Sequence, residues 1–224
     1  MKLRLMLVVV LLCFAGCVSG KKDYVKASDG PIPLPQARAE IIKYYDGGDY
    51  LKDAGVRAKT VAEAADKALA DKVKYPAVVM VVEDVLLSTY PARRKQGFSD
   101  NSEARRELDS HVILSALPAV EPSVQLFESL LARNIPVFLV SYQPEDLRIS
   151  VMENLSKSGF SGWKKLFMKP SKYPEDRNFC EEVRRGLVDS GFNIIATVGV
   201  LAEDVAGEQK GVAVLYPNYI YDRR

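Results

Sequence analysis

Apolar runs that read as buried strands alternate with amphipathic stretches that read as helices. The chain is therefore predicted to be an α/β protein, a doubly wound parallel sheet with helices on both faces. Two observations carry this. Val78–Val82 (VVMVV) is an uninterrupted apolar run rich in β-branched residues, which suits a strand covered on both sides. The helical stretches 147–158 and 181–190 are each closed by a glycine, Gly159 and Gly191, and each leads into another strand-like run.

Taken in order, residues 36–72 read as helical, forming a small N-terminal or cap element. Ala37, Ile41, Tyr44 and Tyr45 lie near helical spacing, and Gly47-Gly48-Asp49 breaks the pattern. Thr60 with Glu63 three residues on reads as a capping box that opens an Ala-rich helix to Lys72. After the Val78–Val82 strand, Pro122–Arg133 is a helix and Ile135–Ser141 a second strand. Leu147–Ser158 is a helix, Trp163–Met168 a short third strand and Glu181–Ser190 a helix. Phe192–Gly199 is a fourth strand and Gly211–Leu215 a fifth. Arg93-Arg94-Lys95 reads as a solvated loop, and Glu181-Glu182 with Arg184-Arg185 as charge pairing on a helix surface.

The chain has 224 residues, 48% hydrophobic and 27% charged, enough for one domain with a sizeable core. Lys2 and Arg4 precede an apolar run, Leu5–Leu12, that is too short to span a bilayer. Phe14-Ala15-Gly16-Cys17 follows; small residues before a cysteine resemble the bacterial lipoprotein signal, whose cysteine is lipidated. Residues 1–16 are thus expected to be a signal peptide, 17–35 a Pro-rich tether, and 36–224 the folded domain. The competing reading is an ordinary cleaved signal with an incidental cysteine. Losing Lys2 and Arg4 and no acid takes the formal charge from +2 to zero. No basic stripe remains, so nucleic acid is not an expected partner; the expected partner is membrane lipid. That places the protein outside the cytoplasm of a bacterium. Val18 after the cysteine, in place of Asp, points to the outer membrane if the source is Gram-negative. Cys180 would be the one thiol left besides the lipidated residue, so no disulfide within the mature chain is expected.

In doubly wound sheets the site lies beyond the carboxyl ends of the strands, here just after Val82, Val140 and Val198. No glycine-rich phosphate loop, CxxC pair or HExxH motif is present. At those strand ends the sequence resembles acid phosphatases of the haloacid dehalogenase (HAD) superfamily, subfamily IIIB. These include bacterial lipoprotein acid phosphatases and the plant vegetative-storage type. Tyr44-Tyr45-Asp46-Gly47-Gly48-Asp49-Tyr50 is similar to that family's early helix-turn segment. Leu87-Ser88-Thr89-Tyr90 resembles its Leu-Ser-Asn-Tyr, and Phe138-Leu139-Val140-Ser141 its second motif. Asn154-Leu155 and Gly159-Phe160-Ser161-Gly162-Trp163-Lys164-Lys165-Leu166 resemble its Asn-Leu…Gly-Tyr-x-Gly-Trp-x-x-Leu signature. Gly191-Phe192-Asn193-Ile194 and Leu215-Tyr216-Pro217-Asn218 resemble its last third. The resemblance implies an HAD-like, Rossmann-like sheet.

It also implies phosphoryl transfer: an Asp nucleophile, a second Asp as acid and base two residues on, a Ser or Thr and a Lys on the phosphoryl oxygens, and carboxylates on Mg²⁺. Carried over by position, the nucleophile is Val81, the acid/base Glu83, the hydroxyl Ser141, the lysine Cys180 and the first metal carboxylate Val200, with Asp204 as a second acid. An isopropyl group neither attacks phosphorus nor binds a cation. Glu83 and Asp204, with Glu203 nearby, remain as weak metal candidates, and no cofactor is expected. Two readings stay open. One is a non-catalytic binding or structural protein. The other is an active acid phosphatase or nucleotidase with a rearranged, Mg²⁺-dependent site, in which Lys169 or Lys172 supplies the missing positive charge. Tyr90 and Tyr142 either line a pocket or pack in the core; His111, the lone histidine, reads as an ordinary residue.

Overall fold

A computed structural model of the chain describes residues 31–174 and 178–222. The expected signal peptide, Cys17 and most of the tether lie outside the described residues. Two helices come first, α1 (Leu34–Asp46) and α2 (Asp49–Ala70). The helix α1 begins at Leu34 with Pro35 in its first turn, so the last proline of the expected tether is already helical. Proline is tolerated there because the first N–H groups have no partner inside the helix. Gly48 joins the two helices at φ 87°, a backbone region that favours glycine.

The helix α2 runs unbroken through Thr60, contrary to the expected cap. Tyr50, Ala54, Ala58, Val61, Ala65 and Ala68 form one continuous buried face. Thr60 Oγ1 donates back to the Val56 carbonyl at 3.3 Å, the bond a mid-helix threonine makes.

Five parallel strands follow: β1 (Pro76–Val81), β2 (Val137–Ser141), β3 (Lys165–Met168), β4 (Asn193–Gly199) and β5 (Val212–Leu215). Their order is β3-β2-β1-β4-β5, with every neighbouring pair parallel. The central strand β1 is buried on both faces, Ala77–Val81 throughout, which is why its sequence shows no alternation. Between β1 and β2 lie α3 (Tyr90–Lys95), α4 (Ser102–Ile113) and α5 (Glu121–Ala132). After β2 comes α6 (Arg148–Lys157), and after β3 comes α7 (Phe179–Asp189). With this strand order, the right-handed rule for parallel crossovers assigns α5 and α6 to one face and α7 to the other. The helix α2 packs against α5, β4 and β5. The chain steps outward from β1 to β3 and then returns to the other side of β1, so the strand order reverses between β1 and β4. The candidate residues stand at that switch point.

Two helices were not foreseen. The residues Arg93-Arg94-Lys95 end α3, and α4 is capped by Asn101, whose side chain accepts from the Ala104 amide at 2.8 Å. None of the described helices is long and apolar enough to cross a membrane.

Candidate functional site

Strand β1 ends at Val81, which pairs in register with Val140 and is fully buried in the apolar core. The chain then makes a tight loop. The amides of Leu86 and Leu87 both donate to the Val82 carbonyl, at 3.0 Å each, and Asp84 takes a left-handed φ of 57°. This loop carries Glu83 against the tip of β2. Ser141 Oγ donates to Glu83 Oε1 at 2.6 Å, and the Tyr142 amide donates to Oε2 at 3.2 Å.

At the tip of β4 the chain turns through Val200 into a short 3-10 turn, Ala202–Val205. The fully buried Asp204 folds back onto its own loop: Oδ2 accepts from the amides of Val200 and Leu201 at 2.9 and 3.0 Å. A Cβ on Gly199 would stand 2.2 Å from the Asp204 Cβ, so only glycine lets the carboxylate lie there. Oδ1 accepts from the Tyr142 hydroxyl at 2.8 Å. Glu83, Ser141, Tyr142 and Asp204 thus form one hydrogen-bonded set across the tips of β1, β2 and β4.

Cys180 lies fully buried in the first turn of α7. One turn on, Arg184 is also fully buried, which corrects its expected place on the helix surface. Its Nη1 donates to the Asp204 carbonyl at 2.8 Å and approaches Cys180 Sγ at 3.4 Å, and its Nη2 donates to the Ala206 carbonyl. A cation therefore stands beside position 180, but its Nη donors hold backbone carbonyls. The neighbouring Arg185 does pair with Glu182, at 3.8 Å on the surface. Lys169 stays near the site: its amide donates to the Ser141 carbonyl at 2.9 Å, and its ammonium lies 5.8 and 5.6 Å from the ring centroids of Tyr142 and Tyr173. Lys172 is exposed. His111 is half-buried on α4, with Nδ1 2.9 Å from the Glu107 carbonyl.

Beside this set, Asp84 anchors a tyrosine cluster the sequence did not reveal. Its carboxylate accepts from the Thr89 amide and hydroxyl, at 2.6 Å each, and from the Tyr221 hydroxyl at 2.8 Å. Its carbonyl accepts from Tyr50 at 2.9 Å. Tyr45 stacks between Tyr50 and Tyr90, with centroids 4.5 Å away on each side. Burial, then the Asp84 charge, pushes the Tyr50 and Tyr45 hydroxyls well above the usual tyrosine range. Tyr90, which donates to Asp46 at 2.7 Å, is pushed up to about 12 by burial and then by that bond. Asp84 is the other acid beside the expected nucleophile position, and its hydrogen bonds tie it to structure.

A divalent cation wants several oxygen ligands around one point. The side chains of Val81 and Val200 offer none. Among the described residues, no group of three or more His, Cys, Asp or Glu side chains stands close enough to hold a metal ion. The two carboxylates that remain already accept from the protein's own N–H and O–H groups. These residues do not fit a Mg²⁺ site.

A family model described as HAD superfamily, subfamily IIIB (acid phosphatase), matches residues 25–224. The chain belongs to this family. Among curated relatives of the subfamily IIIB chain, the stem 28 kDa glycoprotein of Glycine max is 24% identical over 196 residues, covering 84% of this chain and 76% of that one. Acid phosphatase 1 of Solanum lycopersicum is 26% identical over 202 residues, covering 84% and 75%. Vegetative storage protein 1 of Arabidopsis thaliana is 29% identical over 143 residues, covering 62% of this chain and 53% of that one. The class C acid phosphatase from Bacillus anthracis has the same fold, with a TM-score of 0.70 at 17% identity over 84% of this chain and 86% of that one. The expected HAD-like parallel sheet and subfamily are thus both found.

Proposed function

We propose that this chain is a non-catalytic member of the HAD subfamily IIIB acid phosphatases, held at a membrane by a lipid on Cys17 and serving through binding or as a structural component. One observation carries the reading: buried valines end β1 and follow β4, at the positions where the family resemblance puts the nucleophile and a metal carboxylate. Cys180, where the resemblance puts the lysine, is buried and brings no ammonium group, beside an arginine that grips carbonyls. Val81 supplies no nucleophile to form an aspartyl phosphate, and positions 180 and 200 supply neither the lysine nor the metal carboxylate that would neutralise its transition state. An apolar floor also disfavours a phosphate dianion.

Calorimetric titration with inorganic phosphate at millimolar concentrations, with and without Mg²⁺, tests the cleft. No saturable binding is expected; Mg²⁺-dependent binding supports the active alternative. The anchor is tested separately, by membrane fractionation and lipid labelling of the wild type and Cys17→Ala. The substitution is expected to abolish both label and membrane association.

A further inference from the structure

The same strand tips raise a second question: what joins them, if no cation does. In a metal-holding HAD site a cation ties carboxylates of the first and fourth strands together, offsetting their mutual repulsion. Here one residue just beyond the tip of β2, on the far side of β1 from β4, touches both. The Tyr142 amide donates to Glu83, beyond β1, and the Tyr142 hydroxyl donates to Asp204, beyond β4. The ring between them is seated edge-on against Phe179, at 6.2 Å between centroids, in the first turn of α7. Ser141 Oγ also donates to Glu83, and the Val200 and Leu201 amides to Asp204.

We infer that Tyr142 has taken over the cross-linking role of the cation, so that the cleft closes on itself and the fold reaches full stability without metal. This rests on the non-catalytic reading above and deepens it. The hydroxyl is the essential atom. It reaches Asp204 from a residue whose backbone is fixed by β2, so removing it should loosen the 202–205 turn while leaving the ring in place.

The test is thermal unfolding of the full-length wild type and Tyr142→Phe, each in chelator and in saturating Mg²⁺ or Mn²⁺. The wild type is expected to melt at the same temperature in all media. Tyr142→Phe is expected to melt about 2–6 °C lower, equally in all media, for loss of one part-buried hydrogen bond to a carboxylate in a chain of this size. Titration calorimetry with Mn²⁺ is expected to show no site in either protein. A Tyr142→Phe variant that melts like the wild type removes the strut and leaves the non-catalytic reading standing. A wild type raised several degrees by Mg²⁺ overturns both.

Discussion

Val81 is fully buried and in register with Val140, so a carboxylate put there would sit in apolar surroundings. Val81→Asp should therefore cost about 3–5 kcal/mol, read by urea unfolding, and should give no phosphomonoester turnover, because Cys180 and Val200 still supply no charge. Asp84 works the other way. Asp84→Ala removes the acceptor of three donors, the Thr89 amide and hydroxyl and the Tyr221 hydroxyl, and should cost about 2–4 kcal/mol by the same measurement. The strand-tip rule pointed to Glu83 and Ser141 and the family resemblance to Asp204; in the structure Ser141 donates to Glu83, and Tyr142 joins Glu83 to Asp204. Neither could find the Tyr142 bridge, since a tyrosine after a strand reads equally as core packing. Arg184 was legible in principle. Cys180, Val183, Arg184 and Leu187 share the buried face of α7 at helical spacing, and that phase outweighs the apparent charge pairing with Glu181 and Glu182.

Among the elements, α2 offers the sharpest contrast. A capping threonine replaced by alanine costs about 1 kcal/mol. Thr60 instead sits mid-helix, so Thr60→Ala should be neutral or stabilise by up to about 0.7 kcal/mol in chemical denaturation. Gly55 lies in the same helix, with no neighbour within 4 Å of the point a Cβ would occupy, and Gly55→Ala should add about 0.5–1 kcal/mol. The unbroken spacing of Ala54, Ala58, Val61, Ala65 and Ala68 was the signal that a Thr-x-x-Glu pattern concealed. The strands were legible because each is a short apolar run between turn residues. The helices α3 and α4 were not, because α3 buries only Ala92 and α4 only Ala104 and Val112, too few to show a period.

Across the whole molecule, raised tyrosine ionisations link the fold to alkaline pH. Burial pushes Tyr216 up to about 12 from an ordinary 10.0, and the cluster of Tyr44, Tyr45 and Tyr50 is held higher still. The folded state keeps these protons where the unfolded chain loses them. Their contribution is therefore complete below pH 10.0; that of Tyr216 is lost as pH climbs through about 12, and that of the cluster at higher pH still. Denaturation midpoints should fall across that window, with phenolate absorbance from these residues rising together with unfolding. The sheet that brings Val81, Glu83, Ser141 and Val200 to one edge is the sheet of the acid phosphatases, and the difference proposed above lies in the chemistry at its tips. That difference is tested most directly by hydrolysis of a generic phosphomonoester by the purified protein, with and without Mg²⁺. The account predicts no turnover above buffer in either condition; Mg²⁺-dependent turnover abolished by Glu83→Ala would contradict it.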